Sequence, residues 1–428
     1  REEAAVQPQP SARDVLVLAQ IVDLVRSGAG TTRPELEAVT GLGRTVVNDR
    51  VREGIDLGVL AEVEAAPSGQ RRGRPSRSIR FRTEAGVLLA ASLGEVSLHA
   101  AVTDLDGRDL VREFRSIDVQ DGPEKILRAV HESFRRLLRR LGSPAPVWAV
   151  SVGLPAPTDH ATGRIVTPRT IPGWAGFDAR SWLSARYDAP VWVDSETNLR
   201  ALGEWERGDP QERRDLLYVK VATGIGSGLV TGGRLHRGDS GAAGDIGHVH
   251  VTDDPAAVCR CGKTGCLEAV AGGWALVRTL TARARAGESP VLAERLAEVG
   301  ELTGVDIGRA VAAGDDAARA AVSRAARVTG TAIAGMVNFL NPGTLVLGGG
   351  VLHTGALFFE EFREAVLHGG IELATQNLTI RPASLADTEG TTGAALLAAE
   401  NLLRPAALQL WLADGTPVGA AGRLQTAV

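Results

Sequence analysis

The sequence predicts an α/β protein: a small winged helix-turn-helix head, then a larger body of strands and helices in two halves. Three observations carry this. Residues 11–82 hold three short helical stretches, a strand, an Arg/Gly/Pro-rich turn and a returning strand. From Gly86 onward, runs with the two-residue period of strands alternate with long helical runs. Each half of the body opens with strand, glycine-bearing turn and strand, which points to a duplication.

Residues 1–10 read as a disordered leader. In the head, Val15, Leu18, Ile21, Val22 and Val25 recur at helical spacing. Thr32, followed by Pro34 and Glu35, is a capping box opening a second helix. Thr40–Gly43 is a turn. A third helix runs from about Arg44 to Leu57, with Val47, Val51 and Ile55 on one stripe. Gly54 inside it costs about 1 kcal/mol. Val59–Val63 and Ile79–Phe81 are the strands of the wing. In the first half of the body, Gly86–Ser92, Val96–Asp104 and Asp109–Asp118 read as strands. A helix at Pro123–Leu141 and a buried strand at Val147–Val152 follow. The second half has strands at Leu216–Val221 and Leu229–Thr231 around a glycine turn, Gly224–Gly228. Long Ala/Arg-rich helices precede a strand at Thr344–Leu347, which ends in Gly348–Gly350. To residues 406–428, including Trp411, the sequence assigns no role.

Bulk composition excludes several classes. Hydrophobic residues at 44% and charged residues at 23% are those of a globular chain, not a disordered one. A net charge of -4 excludes a polycation, so contact with nucleic acid needs a local basic patch. No apolar run is long enough to span a bilayer, and Arg1–Pro10 lacks the apolar core of a signal peptide. A cytoplasmic location and no membrane partner are the resulting expectations.

The head supplies such a patch. Arg44, Thr45, Asn48, Asp49 and Arg52 lie off the apolar stripe of the third helix, toward the end that reaches base edges. Arg reads guanine, Asn reads adenine, and Asp accepts from cytosine. Arg71, Arg72 and Arg74, with Arg77, Arg80 and Arg82, give the wing cations for phosphate or a minor groove. Double-stranded DNA is the expected partner.

All 3 cysteines lie between Cys259 and Cys266, a poor disulfide framework. Three thiols in one Gly-containing loop suit zinc, which takes four Cys or His ligands in a tetrahedron. Cys259, Cys261 and Cys266 are three of these. His248 is the candidate for the fourth, with His250 its rival. A closed four-ligand site is structural rather than hydrolytic.

These residues resemble the ROK family, which groups bacterial repressors with sugar kinases. The resemblance runs from about Ser11 to Pro405. It rests first on Cys259-Arg-Cys-Gly-Lys-Thr-Gly-Cys-Leu-Glu268 and on Asp245-Ile-Gly-His248, which has Asp in place of the family's Glu. Gly153–Pro157, Ile171–Trp174, Ala201–Glu204, Asn341–Gly343 with Gly348–Gly350, and the wing's Arg72-Gly-Arg-Pro75 support it. The resemblance implies an actin-like, two-lobed sugar kinase fold. Its first lobe would span 83–200, completed by a helix at about 390–405, and its second would span 201–389.

Kinase members phosphorylate a hexose with ATP, and here the corresponding motifs are degenerate. Their Asp-x-Gly-Gly-Thr is Ser92-Leu-Gly-Glu-Val96, where Glu95 sets negative charge against phosphate. The second phosphate loop, Thr223–Gly228, is better kept. Their Glu-Asn-Asp-Ala-Asn, which holds the general base, is Asp194-Ser-Glu-Thr-Asn198. Glu196 takes the base position with an extra methylene, and Ser195 replaces a sugar-binding Asn. Thr170 replaces another Asn. No catalytic activity is expected. The implied sugar contacts are Ser195, Glu196, Asp245, His248 and Glu268, with support of the zinc loop as the other role for Asp245 and Glu268. The expectation is a repressor of transcription that binds a near-palindromic operator as a homodimer or homotetramer. A sugar or sugar derivative in the cleft would set its DNA affinity. An ATP-dependent hexose kinase with an appended DNA-binding domain is the alternative.

Overall fold

The computed structural model describes residues 11–64, 77–142, 145–165, 171, 173–208, 214–385, 387–411, 414 and 416–426. The leader and the wing tip with Arg71, Arg72 and Arg74 lie outside these, as does Thr170.

In the head, α1 (Ala12–Ser27), α2 (Arg33–Thr40) and α3 (Arg44–Asp56) precede the hairpin β1 (Leu60–Glu64) and β2 (Arg77–Phe81). Capping boxes start the first two helices, Ser11 with Asp14 and Thr32 with Glu35. Both end at a glycine in the left-handed region, Gly28 and Gly41. The apolar stripes of α1 and α3 meet: Val15, Leu18, Ile21, Val22, Val47 and Val51 are buried together. Gly54 has a packing reason. A Cβ there would stand 2.6 Å from Leu60 Cδ1 and 3.5 Å from Leu18 Cδ1, so its absence lets β1 and α1 close on α3.

The body has two five-stranded sheets of identical topology. In the first, β5 (Asp109–Ser116), β4 (Ser97–Thr103), β3 (Val87–Leu93), β6 (Val147–Leu154) and β9 (Val191–Ser195) lie side by side in that order. In the second the order is β12 (Arg234–His236), β11 (Ile225–Thr231), β10 (Leu216–Val221), β13 (Thr344–Gly348) and β14 (Thr379–Pro382). In both, an antiparallel meander of three strands continues into two parallel ones. The duplication read from the sequence is therefore a duplication of topology. Between β6 and β9 come the small hairpin β7 (Thr158–Asp159) and β8 (Arg164–Ile165) and the helix α5 (Ala179–Ser184).

One boundary differs from expectation. Gly224–Gly228 is not all turn: β11 begins at Ile225, paired with Val221. Gly226 and Gly228 are strand residues facing α6 (Glu196–Arg207), where a Cβ on Gly228 would lie 2.8 Å from Ala201 Cβ. Glycine serves helix-to-sheet contact there rather than a bend.

Helix α4 (Pro123–Leu141) covers one face of the first sheet through Ile126, Leu127, Val130, Phe134 and Leu137. The second sheet carries α7 (Leu267–Ala271), α8 (Gly273–Arg285), α9 (Pro290–Val299), α10 (Gly304–Ala312), α11 (Asp316–Leu340), α12 (Ala356–Gly369) and α13 (Glu372–Thr375). Helix α6 runs across the expected lobe border at residue 200. It packs on β10 and β11 and on α14 (Glu389–Leu403), which in turn lies on β3 and β6. The expected returning helix at about 390–405 is thus α14. Helices α6 and α14 cross almost backbone to backbone: a Cβ on Gly203 would enter the Glu389 carbonyl oxygen, and one on Gly393 the Leu199 carbonyl oxygen.

The tail has a place that its sequence did not announce. Helix α15 (Pro405–Trp411) packs between α14 and α1, and α16 (Ala421–Thr426) reaches β9. Trp411 is fully buried, its indole donates to the Leu402 carbonyl at 3.1 Å, and its ring lies 5.6 Å from that of Trp148. Head and body share one core through it. Among the described residues, no helix is long and apolar enough to cross a membrane.

Candidate functional site

A cleft of about 1870 Å³ opens between the two sheets. Ser195, Glu196, Asp245, His248 and Glu268 all line it. The first two arrive at the end of β9 and the start of α6. The others arrive on the loop after β12 and at the start of α7.

The segment carrying the cysteines folds back on itself through isolated pairings of Val258 with Thr264 and of His250 with Cys266. Gly262 and Gly265, at φ +90° and +83°, make the turns possible. One ligand atom from each of His248, Cys259, Cys261 and Cys266 lies within 4.8 Å of the others. Cys259 Sγ stands 3.6 Å from His248 Nδ1, and Cys261 Sγ stands 3.7 Å from Cys266 Sγ. Bonds of about 2.3 Å to sulfur and 2.0 Å to nitrogen give a tetrahedron edges of roughly 3.5 and 3.8 Å. The four residues therefore fit one tetrahedral ion. Without one, burial pushes the Cys259 thiol up to about 12. His250 turns away, its Nε2 3.0 Å from the Asp253 carboxylate, and is not in the group.

His248 has a second aspect: its Nε2 faces the Asp245 carboxylate at 4.0 Å on the cleft side. Burial raises the Asp245 carboxyl above its ordinary value, an effect that His248 opposes. Glu268 is engaged on both oxygens. One accepts from the Ile225 amide at 3.1 Å, the other from Arg260 and the Trp274 indole at 3.0 Å each.

Arg260, between two of the thiols, also reaches across the cleft. Its guanidinium donates to both oxygens of Glu95, at 2.6 and 2.8 Å, on the turn between β3 and β4. The negative charge expected at Glu95 is thus met by a cation. The charge is neutralised, and the space beside Gly224, on the second glycine loop, is filled by a bridge between lobes.

Glu196 is the other surprise. Its carboxylate is held by Lys220 Nζ on one oxygen and by Arg200 Nε, at 2.9 Å, on the other. Burial works to raise this carboxyl, but the two cations outweigh it and hold it below the ordinary range. Arg200 continues to Glu389 at 2.5 Å, and Tyr218 donates to the same Glu389 oxygen at 2.9 Å. A base must accept a proton, and this carboxylate is pinned in its ionised form with both oxygens occupied. The sequence reading overlooked Arg200, Lys220 and Arg260. The signals were there: Arg200 is four residues after Glu196 on a helix, and Lys220 is a lone cation in an apolar strand.

In the head, Arg44, Thr45, Asp49 and Arg52 of α3 are exposed and Asn48 is half-buried, so this face is open to a groove. Arg77, Arg80 and Arg82 are less available than their sequence implied. Arg77 pairs with Glu62 at 2.9 Å, and Arg80 makes a two-pronged pair with Glu84 that also draws in Arg82.

Residues 88–401 match the ROK family. The chain belongs to that family. A xylose repressor of Caldicellulosiruptor bescii is 26% identical over 91% of this chain and 96% of its own length. A glucokinase of Halalkalibacterium halodurans is 32% identical over 64% of this chain and 83% of its own. Among solved structures, a ROK family transcriptional regulator homologous to the E. coli MLC protein has a TM-score of 0.75 at 24% identity. That match covers 94% of this chain and all of the other, so this ROK protein shares its fold with a regulator over head and body alike.

Proposed function

We propose that this ROK protein is a sugar-responsive, DNA-binding transcriptional repressor rather than a sugar kinase. The observation that carries the reading is the clasp of Lys220 and Arg200 on Glu196, which occupies the base position in a chain that also carries an open recognition helix. The Glu95–Arg260 bridge beside Gly224 adds to it, because phosphates approaching that loop would have to break a half-buried, two-pronged ion pair. In this reading α3 contacts bases through Arg44, Thr45, Asn48, Asp49 and Arg52. Arg71, Arg72 and Arg74 add phosphate contacts. A sugar or sugar derivative binds near Ser195, Glu196, Asp245, His248 and Glu268, all of which line the cleft. Zinc is held by His248, Cys259, Cys261 and Cys266, one ion per chain. When bound it supplies structural cross-linking of the loop that presents His248 and Glu268 to the cleft.

Fluorescence anisotropy on the protein's own upstream DNA, against random DNA and across a panel including D-xylose and D-glucose, tests this. Sequence-specific binding that one sugar shifts supports the reading. Equal affinity for random DNA overturns the regulator. Kinase activity is the second reading, favoured by the 32% identical glucokinase and the retained glycine loop. A coupled ATP-dependent phosphorylation assay decides it: turnover of any hexose would mean that the clasp opens.

A further inference from the structure

One helix touches both the cleft and the head. The first turn of α14 belongs to the cleft: Thr391 lines it, and Glu389 accepts from Arg200 and Tyr218. Arg200 is the same cation that holds Glu196, so the base-position clasp and the start of α14 form one chain of charges. The second oxygen of Glu389 is buried with no partner among the described residues, which leaves this anchor sensitive to any shift of Arg200. About 20 Å farther on, at 1.5 Å per residue, the Leu402 carbonyl takes the indole hydrogen of Trp411. Ala407, Leu408 and Trp411 are buried in the core that also holds Val15, Leu18 and Ile21 of α1. Between its ends α14 is seated on α6 through Gly203 and Gly393, with no side chain between the backbones to absorb a displacement.

We propose that α14 is the rod that transmits the state of the cleft to the DNA-binding head, with Trp411 as the joint to α1. This rests on the sugar-responsive reading above. A ligand that draws Arg200 or Lys220 from Glu196 changes the anchor at Glu389. A close-packed helix moves as a body, because packed cores switch between arrangements rather than deform smoothly. The movement reaches α15 and then α1, against which the recognition helix is packed.

Hydrogen–deuterium exchange on the full chain, free of sugar and DNA, tests the rod by itself. Glu389→Gln keeps shape and removes charge at one end. Trp411→Phe keeps a ring and removes the hydrogen bond at the other. Glu389→Gln should speed amide exchange on the order of tenfold in α15 and the buried side of α1, leaving α4, α11 and α12 unchanged. Trp411→Phe should do the same at Thr388–Thr391 and the start of α6. Should Glu389→Gln not fold, Trp411→Phe alone carries the test. Faster exchange confined to the surroundings of each substitution overturns the rod, and so does uniform loosening of the whole chain. Neither DNA nor sugar is in the tube, so this result stands apart from the anisotropy measurement. A failed operator or sugar reading would show there and not here.

Discussion

At the scale of single residues, the cleft is a site whose charges answer one another. Glu95 is met by Arg260, and Glu196 by Lys220 and Arg200. Taking Lys220 away should therefore cost more than a surface ion pair would. Lys220→Met is expected to lower stability by about 3 kcal/mol at neutral pH, because a buried carboxylate loses one of its two cations. The pH dependence has a definite sign. The Glu196 carboxyl is depressed in the folded protein, so its contribution is present above the unfolded carboxylate value, about 4.3, and fades as pH falls through the folded one. The unfolding curves of parent and variant should converge toward acid. An offset that persists undiminished as the pH falls well below about 4 would contradict the pairing. Motifs, which compare a position with its relatives, missed the pairing, although Arg200, four residues after Glu196 on one helix, offered a local signal. The partner of Glu196 from β10 lies 24 residues away, and only the fold brings it near.

At the scale of elements, helix limits were well written in the chain. The capping box at Thr32 and the glycines after α1 and α2 are local chemistry, fixed by neighbours within four residues. The cysteine loop was equally legible, since its thiols are close in sequence; His248 was already preferred to His250 there, and the structure groups His248 with the thiols while His250 turns to Asp253. Cys261→Ser should drop the metal content of purified protein from about one per chain toward zero. The melting of the head should not move with it, and a head that unfolds in this variant would mean that the ion supports the whole molecule. For α3, Arg44→Ala is expected to cost about 1–3 kcal/mol on the specific site, with a far smaller loss on random DNA. Equal losses on both would reassign Arg44 to phosphate. The crossing of α6 and α14 was invisible in sequence, because a glycine in a helix reads as a weakness. Gly393→Ala should cost about 3 kcal/mol by overpacking, measured by urea unfolding. A neutral or stabilising outcome, as helix propensity alone demands, would show that the helices can part.

For the whole molecule, the coarse repeat in the sequence proved to be two sheets of one topology, yet the packing of the head on the body was not foreseen. Patterns along a chain report which face of an element is apolar, and not which distant face will cover it. Trp411 is the clear case: an aromatic residue in a tail with no motif, and the piece that joins the two cores. A near-palindromic operator remains our expectation for this molecule. Footprinting should show two half-sites roughly one helical turn, about 34 Å, apart, with two chains bound. A single protected half-site with one chain would argue against symmetric binding.

The contact between Trp148 and Trp411 has an optical consequence. Two indoles 5.6 Å apart and inclined at 60° are close enough for their electronic transitions to couple. The folded protein should accordingly show a signed couplet in its ultraviolet circular dichroism that Trp411→Phe abolishes. Since one ring belongs to the body and the other to the segment against α1, the protein carries its own unlabelled reporter of whether the head is seated.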